Sequence, residues 1–579
     1  MPEYLAPGVY VEEVSFRAKS VSGVGTSTCG FVGMTARGPV GITPPLLTSF
    51  ADFERYYGGL DDLTVGGRMT NHVAHAARAF FANGGGRLYV ARILGSGGTP
   101  ASGTVLPPAT AADSQVTLTA RSAGGASLPG QPGTGYLVTL KIDTLVTTKA
   151  LAMKQAAGTM IVVPDADPQK PSHSFVLAAT PVPATKDDKT LDNAKPGDAV
   201  TIQTLSVLVT GPEGAVAEYA GLGFDASHPR PALTVLGATP PNAVDALTNP
   251  VVMSAGAKVT AFALSAAIAT LTGPVALKGG TDGAAPADGD WDAALNLLLG
   301  LEDIAIIAAP GSSAFGGTTP GSVVQKLIGS AETSRAYRIA VLDTPPNLEP
   351  TGATSAVSIK NGIDSTKAAL YYPWIMVANP LAATDPLQPD QVALPPSGFV
   401  CGIYARSDIN RGVIKAPANE TVTGALGLQR DVRFGEQEVL NPLGVNCIRA
   451  LPNRGIRVWG ARTISSDPEW MYVNIRRYFL YLEASIDRGT QWAVFEPNGE
   501  RLWANVRTTI GDFLYNEWVN GALLGTKPEE AFFVHCDRST MTQNDLDNGR
   551  LVCLVGVAAL KPAEFVIFRI GQKTADARN

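Results

Sequence analysis

The 579-residue chain is too long for one hydrophobic core, and its length predicts about three or four domains. A hydrophobic fraction of 45% with 17% charged residues excludes a disordered chain, and 61 Gly with 42 Pro predict many turns. The net charge of −6, without any basic run, argues against nucleic acid, whose binding needs clustered Lys and Arg against phosphates.

Read in chain order, "YLAPGVYVEEV" is a short strand whose Val9 and Val11 share one face while Tyr10 and Val14 share the other. The Ser/Gly-rich "SFRAKSVSGVGTST" that follows reads as a tether able to swing. Residues 28–95 alternate strand and helix signals. "CGFVGMTARGP" is a strand leaving into a loop, and "SFADFERYYGG" is a helix capped by Ser49 and stopped by Gly-Gly. "NHVAHAARAFFANGG" is a helix with Val73, Ala77, Phe80 and Phe81 on one face, and "GRLYVARIL" is the strand after it.

Composition changes near residue 96. Residues 96–274 are rich in Ala, Gly, Pro and Thr, contain no Trp or Cys, and read as short strands between turns: a β-rich insertion. The α/β alternation resumes with "WDAALNLLLGLEDIAIIAAPG", "SVVQKLIGSAETS" and "YRIAVLDTPP", so one sheet should continue across the insertion. Five of the seven Trp fall in 459–518 and mark a densely packed region. There Ser466 and Glu469 have capping-box spacing, followed by a stripe of Met471, Ile475, Tyr478, Leu482 and Ile486. A second long helix turns Leu502, Val506, Ile510, Phe513 and Leu514 inward, with Gly521 as its stop. "AFFVHCD" and "RLVCLVGVAAL" read as strands. Lys561-Pro562 then separates them from "AEFVIFRIGQK", where Val566, Phe568 and Ile570 alternate with Phe565, Ile567 and Arg569.

The chemical motifs assemble no active site. His72 and His75 lie at i, i+3 without a third ligand nearby in sequence, so they read as surface or boundary histidines rather than zinc ligands. The Gly-rich turn after Ala309 lacks both G-x-G-x-x-G and the P-loop lysine. Asp343 reads as a cap or turn residue, and neither a G-x-S-x-G elbow nor a Cys-His dyad is present. Catalytic residues, metal and cofactor are all expected to be none. The five scattered cysteines (Cys29, Cys401, Cys447, Cys536, Cys553) read as buried thiols of a protein made in a reducing cytoplasm. The start lacks the pattern of a secretory signal, and the longest apolar stretch falls far short of the roughly 20 residues that cross a bilayer.

"APGVYVEE", "AARAFFANGGGRLYVAR", "PNRGIRVWGARTISSDPEWMYVNIRRYFLYLEASI", "FEPNGERLWANVRTTIGDFL" and "GALLGTKPEEAFFVHCD" together resemble the sheath protein of contractile phage tails and related injection machines. The resemblance covers residues 1–95 and roughly 275–579 in order, and leaves the insertion aside. It implies a multidomain mixed α/β fold: a donor arm and tether at 1–27, an α/β domain in two parts at 28–95 and 275–365, the inserted outer β domain at 96–274, an arm-accepting core at 366–560, and a second donor arm at 561–579.

It further implies that the terminal strands, residues Val9, Tyr10, Val11, Glu12, Glu13 and Val14 and residues Phe565, Val566, Ile567, Phe568, Arg569 and Ile570, add to sheets of neighbouring copies. The alternative makes them outer strands of the molecule's own sheet. The implied partners are the chain itself in helically stacked hexameric rings, an inner tube protein, and baseplate and terminal cap proteins, without nucleic acid or membrane insertion. Arg476, Arg477 and Glu483 are candidates for touching the tube, or else line a solvated or intramolecular face. The particle would be made in the bacterial cytoplasm and assembled as a virion tail or an injection device. The rival readings are an α/β enzyme with an embedded β domain and another self-assembling tube or shell subunit.

Overall fold

Cys29–Met34 is buried at every position, the continuous apolar run of a strand covered on both faces. In the computed structural model, which describes residues 20–106, 112–124, 134–315 and 320–568 apart from residues 166, 168, 179, 186, 187, 212, 213 and 384, this strand lies within an eight-stranded sheet. It pairs in parallel with Leu88–Ile93 on one side and Ile306–Ala308 on the other. The sheet runs on through Ile339–Asp343, Ala368–Tyr372 and Val445–Leu451, all parallel, and closes with antiparallel Gly455–Val458 and Glu420–Thr421. One sheet therefore spans the insertion, with its two halves meeting at Cys29–Met34.

Helices supply the cover that a parallel sheet needs. Ser49 accepts from the Asp52 amide to start Phe50–Tyr57, and Gly58 ends that helix at φ +86°. Asp288–Leu299 presents Trp291, Leu295 and Leu298 to a core shared with Val32, Ile307, Leu342 and Leu370. Each such side chain, fully buried, is worth roughly 1.5–3 kcal/mol. Asp343, expected as a cap or turn residue, caps from a distance: it accepts the Ser397 amide at 2.7 Å and so closes the first turn of Ser397–Arg411. The Ser397 hydroxyl donates to it as well, and burial pushes the carboxyl up to about 7 against both hydrogen bonds.

The insertion forms its own ten-stranded antiparallel sheet around the long pair Thr134–Thr148 and Ala199–Gly211. It carries a separate core, with Val138, Leu205, Val207 and Leu277 at its centre. Thr99 and Thr281 bridge where the chain enters and leaves, each amide donating to the other's carbonyl at 3.0 and 2.9 Å. Apart from the last turn of Ser397–Arg411, these elements belong to one compact unit, residues 27–406 and 417–466. The boundary expected at 366 falls just ahead of Ala368–Tyr372, a middle strand of the eight-stranded sheet, whereas the compact division follows Ser466.

The other unit comprises, among described residues, 20–26, 407–416 and 467–568. Its core joins Tyr478 and Leu482 of the helix Val473–Gly489 to Leu502, Val506, Ile510, Phe513 and Leu514 of Glu500–Val519, which stops at Gly521 with φ +75°. The capping box expected at Ser466 and Glu469 does not form. The Ser466 amide bonds the Asp364 carboxylate, Asp467 caps a short turn at Pro468–Trp470, and the long helix begins only at Val473.

Candidate assembly surfaces

Phe532–His535 and Leu554–Val557 pair antiparallel as a two-stranded sheet of their own. Phe532, Val534 and Val557 pack on the helical core beneath. The opposite face is open, with Phe533 and Leu554 exposed and the Phe533 ring lying over Gly556, where a Cβ would stand only 2.2 Å from it. Two strands bury too little to be stable alone, so this ribbon depends on the helices under it and leaves main-chain edges for another strand.

The carboxyl-terminal segment follows. Leu523 and Ala559 bridge, Tyr472 donates to Glu564 at 3.0 Å, and residues 565–568 belong to no strand. Phe565, Val566, Ile567 and Phe568 are exposed by 72, 68, 80 and 82%, four large apolar side chains in a row facing water. Arg569 and Ile570 lie outside the described residues, as does the whole amino-terminal group Val9, Tyr10, Val11, Glu12, Glu13 and Val14.

The tether is where the sequence reading needs correction. In place of a free tether, residues 20–26 lie along Val473–Gly489. The Val24 amide donates to Ser485 Oγ at 3.1 Å, and Thr26 Oγ1 donates to Asp408 at 2.6 Å. Arg477, offered as a tube contact, is instead internal. Its side chain is 3% exposed, it donates to both oxygens of Asp408 (4% exposed) and to the Thr26 carbonyl. Removing either partner of such a buried pair costs about 3–5 kcal/mol. Arg476 sits over the Trp470 ring at 4.5 Å and reaches Glu483 at 3.2 Å, and of the three charges only Glu483 keeps a well-exposed side chain. Adjacent arginines on a helix look equivalent in sequence; the carboxylate that buries one of them is 69 positions away.

Of the two histidines read as surface or boundary residues, only His72 keeps a boundary position, being partly buried. His75 is buried, His72 packs edge-on to Trp374, and burial holds both imidazoles low, at about 4. Among the described residues no group of three or more His, Cys, Asp or Glu could hold a metal ion, and no helix is long and apolar enough to cross a membrane. All five cysteines are free; four are buried and Cys553 is partly so.

Comparison with known proteins gives the family of the chain. The family described as "phage tail sheath protein central domain" matches residues 284–464, and "phage tail sheath C-terminal domain" matches 465–573. A putative prophage major tail sheath protein of Pseudomonas aeruginosa is 26% identical over 272 residues, which is 46% of this chain and 64% of that protein. The tail sheath protein of Escherichia phage P2 is 30% identical over 102 residues, 17% of this chain and 25% of its own. The chain thus spans less than two thirds of the length of these curated relatives. Among solved structures, the helical sheath of the anti-feeding prophage in its contracted state is similar over 99% of this chain and 100% of that one, with a TM-score of 0.53 and 22% identity. The sheath complex of the extracellular contractile injection system PVC, also contracted, covers 99% of each chain at a TM-score of 0.51 and 22% identity. These two likenesses show a shared mixed α/β fold.

Proposed function

The chain belongs to the contractile tail sheath family, whose members are structural proteins rather than enzymes, and from that premise we propose that its copies join by exchanging terminal strands. The observation that carries this is Phe565–Phe568: four exposed apolar residues outside any strand, in a unit where, among the described residues, the ribbon of Phe532–His535 and Leu554–Val557 has no third strand beside it. A run of this kind is costly in water and gains both burial and main-chain bonds by joining a ribbon in another copy. The amino-terminal strand Val9–Val14 does the same from the other end. Head-to-tail contacts of this sort do not close on themselves, so they build hexameric rings stacked into an open helical sheath.

The inner tube, baseplate and terminal cap are its partners, and Glu483, steadied by Arg476, is the charge available to the tube. Contraction moves the compact units as rigid bodies while the donated strands stay paired, and the energy comes from contacts formed in the compact state, without nucleotide. The protein is made in a bacterial cytoplasm and works in a virion tail or an injection particle.

The test removes residues 1–14 in one variant and 565–579 in another. Each should remain folded and soluble, yet negative-stain microscopy should show none of the striated cylinders, long or short and wide, that the intact chain forms. Normal cylinders from either variant would refute donation at that end.

A further inference from the structure

We infer that residues 21–26 are a fixed mount for the amino-terminal arm rather than part of its flexible leash. The inference rests on the strand-exchange reading for its consequence but not for its evidence in the fold. Three contacts of different kinds hold the segment to Val473–Gly489 and to Asp408, the partner of its Arg477. Val21 packs against Gly489, where a Cβ would lie 2.6 Å from the Val21 side chain, so the last residue of Val473–Gly489 has to be small for the segment to seat. Gly23 passes over Tyr481, whose hydroxyl would stand 2.3 Å from a Cβ at that position. That tyrosine cannot yield, because it donates to Glu517 at 2.9 Å and stacks on Tyr478. Val24 and Thr26 are then pinned through main chain and side chain by Ser485, Asp408 and Arg477, the last two being the buried ion pair.

The consequence is a length. A leash of residues 15–27 would let the arm reach about 45 Å from its root, at about 3.5 Å per residue, whereas one of residues 15–20 reaches only about 20 Å from Val21. The acceptor ribbon of a neighbouring copy must therefore stay within that shorter radius of the mount throughout any rearrangement of the sheath. Arms cannot pay out during the stroke. A pull on the arm is delivered to Val473–Gly489 through Arg477 and Asp408.

Amide hydrogen exchange on the full-length soluble protein, before any assembly, tests the mount without reference to strand exchange. The Val24 amide, which donates to Ser485, should exchange at least 100-fold more slowly than in an unstructured chain. In the double variant Ser485→Ala with Gly489→Ala, which removes the acceptor and fills the seat without weakening the helix, exchange at 20–26 should rise at least 10-fold while residues 500–519 stay unchanged. Wild-type exchange at the unstructured rate across 20–26 would overturn the inference. Leash length provides the second reading: deleting four residues within 15–20 should abolish cylinders, since only two would remain. Cylinders formed normally by that deletion would show that the leash extends past Val21. If arm removal itself leaves cylinders intact, strand exchange fails while the exchange result still decides the mount.

Discussion

Phe495 has a backbone φ of +66° and a fully exposed side chain. A bulky residue in the left-handed region costs about 1–2 kcal/mol, and nothing in its own chain repays it through burial. The surrounding loop holds it there: Glu496 donates to the Ala493 carbonyl at 3.3 Å, and Asn498 accepts from Trp503 at 2.7 Å and donates to the Arg550 carbonyl at 3.2 Å. Phe495→Gly should therefore stabilise the folded protein by about 0.5–1 kcal/mol, the relief of strain less the added freedom of glycine in the unfolded chain. Thermal or urea unfolding measures it, and a destabilised variant would show that the strain is not real. Neither this residue nor the reach of Asp343 was legible beforehand. Asp343 could be read as a cap, but the helix it caps begins 54 residues later. Local spacing carries no information about a partner at that remove.

At the scale of elements, local signals served well where the partner was also local. Ser49 and Gly58 bracket their helix as the sequence indicates, and the apolar stripes of Val473–Gly489 and Glu500–Val519 face the core. The failures came where a distant group took over a local one: Asp364 claims the Ser466 amide, and Ser485 with Asp408 claims a stretch whose Gly and Ser content signals freedom. A third such arrangement lies in the insertion. His173 bonds Asp188 through Nδ1 at 2.7 Å and Asp165 through Nε2 at 2.9 Å, while Thr190 also donates to Asp188 and Lys170 faces Asp165. The Asp165 hydrogen bond and then that of Asp188 raise the imidazole pKa above its ordinary value, because both ring nitrogens are donors only in the imidazolium. The sign follows from linkage. A folded pKa above the unfolded one gives stability that is fully present below about 6.5, the ordinary histidine value, and is lost as pH rises through the folded pKa. NMR titration of His173 should find a midpoint above 6.5, and exchange of residues 160–195, corrected for the intrinsic rate, should increase above that midpoint. In His173→Gln that extra pH dependence should vanish. A midpoint at or below 6.5 would sink the prediction.

For the whole molecule, the most informative feature is how little joins the insertion to the sheet that it interrupts. The composition change at 96 and the α/β alternation resuming after 274 mark it in sequence, but Val275–Lys278 still pairs within its sheet, and the Thr99–Thr281 bridge marks where the chain returns. The insertion's core shares no residue with the core around Trp291 and Leu370. Among the described residues the neck is crossed by a few hydrogen bonds and by the approach of Phe50–Tyr57 to the short insertion helix Ala243–Thr248. Arg92 donates to Ala123 as well as to Thr35 and Gly38, and the Gly38 amide donates to Ser122. Thr64 bonds Asp282, which lies outside the bridge and would stay. Replacing residues 100–280 with a short Gly-Ser turn should therefore leave a folded protein, because Thr99 and Thr281 already sit one hydrogen bond apart and no strand of the eight-stranded sheet is lost. Losing the three neck hydrogen bonds, counting that from the Ser122 hydroxyl back to the Gly38 carbonyl, should cost about 2–6 kcal/mol, since one of them comes from a buried guanidinium. Cooperative thermal unfolding a few degrees below wild type, with cylinders still visible, is the expected result. A variant without a cooperative transition would show that the insertion is part of what folds the sheath core, whereas a cooperative variant that forms no cylinders would move the insertion from outer decoration into the contacts between copies.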